Sequence, residues 1–498
     1  MLLRQLKLIV LNKSLIKLYQ LFILDFMNKT KLIAIAIASN ISASVLAGGL
    51  LTNTNQSAHF LRNPSRDAST EIDAVYTNPA GLIKLSDGFH FSFTNQSAFQ
   101  TRTITSTADV FKLNGGSATR EFEGKASAPI IPSFQGAYKK GRWVLSGSFA
   151  VSGGGGKATF DNGLPSFEAM LGSTTALLPM ANPNYTATAY KMDQHMKGSN
   201  FIFGGQLGGT YEINKMFSAY VGFRLNIVKN KYEGYIKGFQ VEPVGINTNA
   251  IYSAITKGLN DQIQGLIASG QAVPDQLATA YKGAAFATMA SSENGINLES
   301  TQNGWGVAPI LGFNFNYDKL NIGVKYEFKT ALDVENDTKV DDTGMFGDGV
   351  NTAHDIPALL TMGASYQITP KLLASVGYHH FFDSNAKMQD NKQKYAGSTN
   401  EYLAGLEYRI DRMFLISAGG QITRYGVEDS YQKDLSFSCN SYSLGLGGAV
   451  NVSPTVRINI GYFWTNYSDY SKTPGGGTNK DVFSRTNKVF GAGVDFSF

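Results

Sequence analysis

The chain has 498 residues, with 53 Gly and 32 Phe, 24 Tyr and 3 Trp, while charged residues make up only 16%. Typical chains hold roughly 7% Gly and 25% charged residues, and this aromatic-rich, charge-poor profile excludes a disordered polymer. The mean hydropathy of −0.13, with no apolar run of about 18 residues, argues against a helical membrane protein.

The first element in chain order is a leader. Met27-Asn-Lys-Thr-Lys31 is followed by Leu32-Ile-Ala-Ile-Ala-Ile-Ala38 and then Ser44-Val-Leu-Ala47. A basic start, a short apolar stretch and small residues at a cleavage point make a secretory signal. Cleavage is expected after Ala47, residues 1–47 form the leader, and Met27 is the better start. Six of the 43 basic residues and one of the 38 acidic residues lie in 1–47, so 37 of each remain and the net charge of +5 belongs to the leader. No basic stripe is left to neutralise phosphates, which argues against nucleic acid as a partner. The single cysteine, Cys439, has no internal partner and reads as a small apolar filler.

Residues 48–87 show no alternation and carry two Asn-Pro steps, Asn63-Pro64 and Asn78-Pro79, which favour turns. Their apolar patches suit either a linker or a plug folded into a lumen. From residue 88 the dominant signal is period-2 alternation, the mark of strands with one apolar face. Between 305 and 317, Trp305, Val307, Pro309, Leu311, Phe313, Phe315 and Tyr317 alternate with Gly306, Ala308, Ile310, Gly312, Asn314 and Asn316. Fourteen such segments are expected, at 88–100, 126–139, 142–152, 199–213, 216–236, 302–317, 319–330, 356–368, 371–382, 400–410, 413–426, 438–452, 455–469 and 483–498. Short turns join alternate pairs, and long loops such as 153–198, 237–301 and 331–355 join the others. An even strand count with this asymmetry is the pattern of an outer-membrane barrel.

A soluble β-sandwich is the rival reading. Eight charged residues (Glu212, Arg224, Lys325, Glu327, Glu407, Arg409, Arg457 and Asp495) sit opposite the aromatic and aliphatic face. A basic side chain facing mid-bilayer would cost roughly 2–4 kcal/mol, so the segregation fits a lipid-facing wall, although a sandwich shows it too. The signal segment, the even meander, the Tyr- and Trp-ringed apolar faces and the terminal Phe498 decide for the barrel. The expected fold is thus all-β, a 14-stranded antiparallel transmembrane barrel over 88–498. Closure is needed because in lipid every strand N–H and C=O must find a protein partner.

The stretch Ala74-Val75-Tyr76-Thr77-Asn78-Pro79-Ala80-Gly81, just ahead of the first strand, resembles the N-terminal hatch of the FadL family of outer-membrane long-chain fatty-acid transporters. The resemblance extends over the fourteen strands, the long loops and the C-terminal Phe. It implies a monomeric barrel in the bacterial outer membrane, plugged by residues 48–87, that passes hydrophobic molecules sideways into the bilayer beside a kinked third strand. Asn78, Pro79 and Ala80 match the hatch signature and inherit a structural and gating role; a tight turn of the plug is the plainer alternative. The third strand runs into Gly153, Gly154, Gly155 and Gly156. Four glycines weaken ladder pairing, which suits a lateral opening and equally the start of a flexible loop; no phosphate-cradle pattern follows them.

Within 237–301, Ile251, Ile255, Leu259, Ile263 and Ile267 recur every fourth residue, and a second helix is expected after Pro274. Such helices suit an outer collecting groove or a simple cap over the mouth. Arg224, Lys237 and Lys325 are candidates to meet a ligand carboxylate, or to pair with lumen acids such as Glu327 and Glu407. No Gly-x-Ser-x-Gly or His-Glu-x-x-His occurs, so no catalytic residue, cofactor or metal is assigned. His379-His380 with Asp383 is read as an interfacial surface, and the acidic loop Asp341–Asp348 lacks EF-hand spacing. The expected activity is passive uptake of long-chain fatty acids or similar hydrophobic molecules, with the bilayer and lipopolysaccharide as surroundings. Alternatives are a structural or adhesive barrel and a channel for aromatic hydrocarbons.

Overall fold

A computed structural model describes residues 50–474 and 479–498; the expected leader and its cleavage point lie outside them. Fourteen antiparallel strands form a closed barrel: β1 Gly88–Thr107, β2 Thr119–Lys140, β3 Trp143–Phe160, β4 Ala189–Glu212, β5 Phe217–Glu242, β6 Ile296–Tyr317 and β7 Leu320–Glu327. The second half comprises β8 Leu359–Gln367, β9 Leu372–Phe381, β10 Thr399–Arg409, β11 Phe414–Tyr425, β12 Ser441–Ser453, β13 Val456–Tyr467 and β14 Lys480–Ser497. Each strand pairs with its sequence neighbours, and β1 closes on β14 in unbroken register from His90↔Ser497 to Thr107↔Lys480. Three further strands, Asp333–Asp341, Asn351–Ala353 and Tyr470–Lys472, extend the sheet on the long-loop side. Among the described residues no helix is long and apolar enough to cross a membrane.

The alternation sorts as the sequence leads one to expect. Phe93, Leu145, Val221, Trp305, Phe313, Leu406, Ile460 and Phe490 face outward and are exposed. Arg224, Lys325, Glu327, Glu407 and Asp495 face inward and are buried, and Arg409 lines the mouth at the short-turn end. The outer band is the apolar face that a bilayer covers.

Several strands run further than expected. A spanning strand needs only about 9–11 residues, yet β5 has 26 and β4 has 24. Their extra length carries outward ion pairs such as Lys197–Glu233 and Lys231–Glu233. Once the wall rises out of lipid its outer face no longer needs apolar residues, so the alternation that marks a strand fades while the ladder continues.

Residues 50–87 fill the lumen. They contain α1 (Ala58–Arg62), α2 (Ala74–Thr77) and a 3-10 turn (Pro79–Lys84). Nearly every residue from Leu50 to Ile83 is buried. The wall makes room for them with three runs of paired glycines: Gly323–Gly363–Gly377 on β7–β9, Gly405–Gly419–Gly445 on β10–β12 and Gly447–Gly461–Gly491 on β12–β14. A Cβ at any of the nine would come within 3.0 Å of an atom of Leu61, Arg62, Asn63, Pro64 or Asp67. Much of the glycine excess in the composition thus marks where plug backbone lies flush against strand backbone.

On the long-loop side, α3 (Pro165–Ser173), α4 (Thr248–Ala268) and α5 (Asp275–Ala290) cover the mouth. The buried stripe of α4 is Tyr252, Ile255, Leu259 and Ile263, so the expected period is present, while Ile251 and Ile267 lie at its margin.

Candidate functional site

The first feature is a break in the wall. β2 and β3 pair from Lys140↔Trp143 to Phe134↔Phe149, then not again until Ala126↔Ala158. Residues 127–133 of β2 and 150–157 of β3 therefore form no ladder with each other. The sequence causes are on both strands. Pro129 and Pro132 on β2 have no N–H to give, and prolines in sheets are confined to edges and bulges. On β3, Gly154 and Gly156 hold φ of 86° and 70°, backbone that residues with a Cβ rarely adopt. The register with β4 slips at the same place, between Val151 and Gly156.

β3 does not simply splay; it turns its free edge inward to the plug. Asn53 N–H donates to Ser152 O at 2.8 Å and Gly154 N–H donates to Leu51 O at 3.2 Å, forming an isolated bridge between Thr52 and Gly153. Two of the backbone groups that β2 leaves unpaired are thereby bonded to the plug. Gly153–Gly156 belong to the strand, not to a loop as one reading of the run had it.

An apolar track leads to this break. A continuous buried cluster runs from α3, α4 and α5 (Leu171, Tyr252, Ala284) through Phe111, Phe122, Phe160 and Tyr190 to Phe60 and Leu61 of the plug. Ile131, within the unpaired part of β2, belongs to the cluster, while the adjacent Ile130 is 74% exposed on the outside. The inside and outside of the wall thus meet at an apolar seam. The opposite end of the lumen is polar. Two clefts there are lined by Ser65, Arg66, Ser69, Glu71, Glu407 and Arg409, and by Thr70, Glu71, Lys84, His90, Arg457 and Asp495.

The plug is held to the wall by polar contacts. Asn78 is buried, and its Nδ2 donates to Ser69 O at 2.9 Å and to Asn314 Oδ1 at 2.8 Å. The carbonyl of Pro79 accepts from Thr210 Oγ1 and that of Ala80 from Ser218 Oγ, both at 2.7 Å. The Asn-Pro-Ala stretch is thereby pinned to β4, β5 and β6.

Two of the three candidate cations, Arg224 and Lys325, meet at the plug, and Lys237 lies apart from them. Arg224 donates to both Glu327 oxygens at 2.7 Å and to Gln206 Oε1 at 2.6 Å, and Lys325 donates to Tyr76 O at 2.8 Å. Both lie over the ring of Tyr76, at 4.7 and 4.2 Å, so these two cations, on β5 and β7 with β6 between them, hold the plug from the same side of the wall. Lys237 is half-exposed far out on β5, 4.4 Å from the Tyr235 ring and 3.7 Å from Asp193.

Sequence reasoning missed the ionic lock beneath α1. Glu407 Oε1 accepts from Arg66 at 2.6 Å and Arg62 at 3.0 Å; Arg66 also pairs with Asp73 at 2.7 Å and Glu71 at 2.8 Å, and Arg457 with Glu71 at 2.5 Å. His59, Glu71 and Asp73 have metal-ligand geometry, but guanidinium groups already saturate the two carboxylates. His379 faces the lumen rather than an interfacial surface, bridging Asp67 of the plug at 2.8 Å and Glu401 at 2.7 Å. The cue was the parity of the strand, which puts His379 on the lumen face and His380 outside.

Fold and site together define a plugged, fourteen-stranded transmembrane barrel with a lateral break. This is the FadL-type fold. No family model matches the chain, and no curated protein matches its sequence. Among solved structures, a Pseudomonas aeruginosa FadL homologue aligns at 12% identity over 91% of this chain and 100% of its own, with a TM-score of 0.60. The P. putida toluene transporter TodX aligns at 12% identity over 92% and 99%, with a TM-score of 0.52.

Proposed function

We propose that this protein is an outer-membrane channel for hydrophobic small molecules, which it takes up passively and releases sideways into the bilayer, with long-chain fatty acids as the substrate class. The observation that carries the reading is the break between β2 and β3 at the end of the apolar track. An apolar solute moving down from α3–α5 stays in contact with apolar side chains as far as Ile131. Continuing past the plug would take it into clefts lined by Arg, Glu, Lys and Ser, where it gains nothing from burial. The easier route is outward, where Ile130 already meets lipid.

Asn78, Pro79 and Ala80 act in this scheme as the plug's fixed end, and Gly153–Gly156 as the deformable rim where plug and wall exchange backbone bonds. Uptake of labelled oleate into vesicles containing the purified protein tests it. Pro129→Val with Pro132→Val restores two ladder donors and is expected to lower uptake severalfold, as is Asn78→Ala. Unchanged uptake in both would defeat the route. A wild type that carries no oleate would favour a structural or adhesive barrel, and one that carries toluene but not oleate would favour an aromatic-hydrocarbon channel.

A further inference from the structure

On the outward face of the wall, beside the break, four lysines gather around one serine. Ser199 of β4 stands directly opposite Lys157 of β3 and Lys231 of β5. Lys197 is the next outward residue along β4, and Lys229, opposite Phe201, the next along β5. Residues paired across a ladder share a face of the sheet, and diagonal neighbours lie within reach of long side chains. One acid is set among them: Glu233 accepts from Lys197 at 2.5 Å and from Lys231 at 2.6 Å. Lys157 and Lys229 are exposed, and among the described residues neither pairs with a carboxylate. Glu299, 4.0 Å from Lys231, is held by Lys339 at 2.8 Å, and Glu335 and Asp337 lie beyond β6 on the strand Asp333–Asp341. On the other flank Lys125 pairs with Glu123 at 3.1 Å. The four lysines and Glu233 thus leave a net charge of +3 on three adjacent strands.

The height of this patch sets what it meets. Phe201 sits just below it on β4, its ring 6.0 Å from that of Phe203, and Phe149 of β3 stacks on Phe203 at 6.3 Å. At the short-turn end of the same face Tyr211 packs on Trp143 at 4.4 Å. From Phe201 to Tyr211, a strand rising roughly 3.3 Å per residue and tilted about 40° spans about 25 Å, the height of the apolar band of an outer-membrane barrel. The lysines therefore begin where hydrocarbon ends, on the side of the long loops, which face out of the cell. The lipid of that leaflet is lipopolysaccharide, whose sugar head carries phosphates and whose acyl chains hang beneath it.

We propose that Lys157, Lys197, Lys229 and Lys231 form a docking site for a phosphate of lipid A, the anchor of lipopolysaccharide, with its acyl chains lying on Phe201, Phe203 and Phe149. A phosphate above Ser199 has ammonium groups around it on three strands and the Ser199 hydroxyl beneath it as a donor. A patch of +3 matches a phosphate monoester, at about −1.5 to −2, better than the single charge of a phosphodiester or a carboxylate. The lipid also stands at a telling place in the wall. Lys157 ends the part of β3 that makes no ladder with β2, so the docked chains run down beside the seam where Ile130 is exposed. The site belongs to the outer surface and holds whatever cargo the lumen carries.

The test is binding of three probes to the full-length protein in detergent free of divalent cations, read by native mass spectrometry: bisphosphorylated lipid A, the same lipid stripped of its phosphates, and phosphatidylglycerol. Wild type is expected to bind bisphosphorylated lipid A about tenfold or more tightly than either of the others. Lys157→Gln with Lys229→Gln should weaken that binding roughly thirtyfold, about five- to sixfold per lysine, and Lys157→Arg with Lys229→Arg should keep it. Removing two exposed lysines of β14, Lys480→Gln with Lys488→Gln, should leave it unchanged. The shift on heating in gel electrophoresis verifies that each barrel is folded. Equal binding of the stripped lipid would reduce the patch to an apolar belt, and equal binding of phosphatidylglycerol would reduce it to a generic anionic surface; either overturns the site. So would unchanged affinity after Lys157→Gln with Lys229→Gln, an equal loss in the β14 variant, or no binding of lipid A by wild type. None of these outcomes bears on the channel, which the uptake of oleate tests separately.

Discussion

Replacing Glu407 by Gln isolates the electrostatic part of the plug's attachment. The carboxylate oxygen accepts from Arg66 at 2.6 Å, Arg62 at 3.0 Å and Asn63 at 3.3 Å. Gln keeps the size and one acceptor and removes the charge. Breaking one partner of a buried ion pair costs about 3–5 kcal/mol. Arg66 retains Asp73 and Glu71, whereas Arg62 is left with Ser417 at 3.1 Å and Glu71 at 3.5 Å. The net loss should therefore fall at the foot of that range or below it, at about 2–3 kcal/mol, or roughly 30-fold to 150-fold in the equilibrium holding the plug in place. Hydrogen–deuterium exchange followed by mass spectrometry is the assay, comparing peptides over 58–84 with peptides from β12–β14. Exchange should rise by that factor in the plug and stay constant in the strands. No change in the plug would refute the ionic lock, and an equal rise in both would show that Glu407 supports the barrel rather than the plug.

Two further outcomes are expected. Gly377→Ala places a methyl group against the Asp67 carboxylate; overpacking of this kind costs about 1–3 kcal/mol, so exchange should rise over residues 63–68 while the barrel keeps its heat-shift on gels. His354, in the buried loop after Asn351–Ala353, has its pKa lowered by burial to about 4 from 6.5. A base whose folded pKa is lowered binds fewer protons folded than unfolded between those values, so the loop's stability is complete above pH 6.5 and declines toward pH 4. Limited proteolysis of 328–358 across that range should show the decline in wild type and lose it in His354→Gln.

The barrel could be read from the chain because lipid imposes its rule residue by residue: Trp305 to Tyr317 alternate because one side of β6 meets hydrocarbon. Where that rule stops, so does legibility, as in the upper parts of β4 and β5, whose outward Lys and Glu side chains hide the ladder. The break in the wall was half visible. Gly153–Gly156 were conspicuous, but Pro129 and Pro132 across the gap gave the stronger cue, since a missing N–H is a fact of covalent structure. The site cations were harder. Arg224 and Lys325 show themselves as lumen residues by parity, yet their engagement with Glu327 and Tyr76 depends on how the plug folds back, and no local pattern encodes that.

In the proposed uptake, the glycine runs bear on how the plug would leave. Interlocked side chains must be pulled free of one another before two packed surfaces can part, and that steric toll is what makes a core rigid. Along Leu61–Asp67 the wall offers bare backbone instead of teeth, so this stretch can lift away once its hydrogen bonds and ion pairs let go. Tyr76, held by two cations from one side of the wall, has no such freedom. A plug that is smooth at one end and held at the other would hinge rather than fall out.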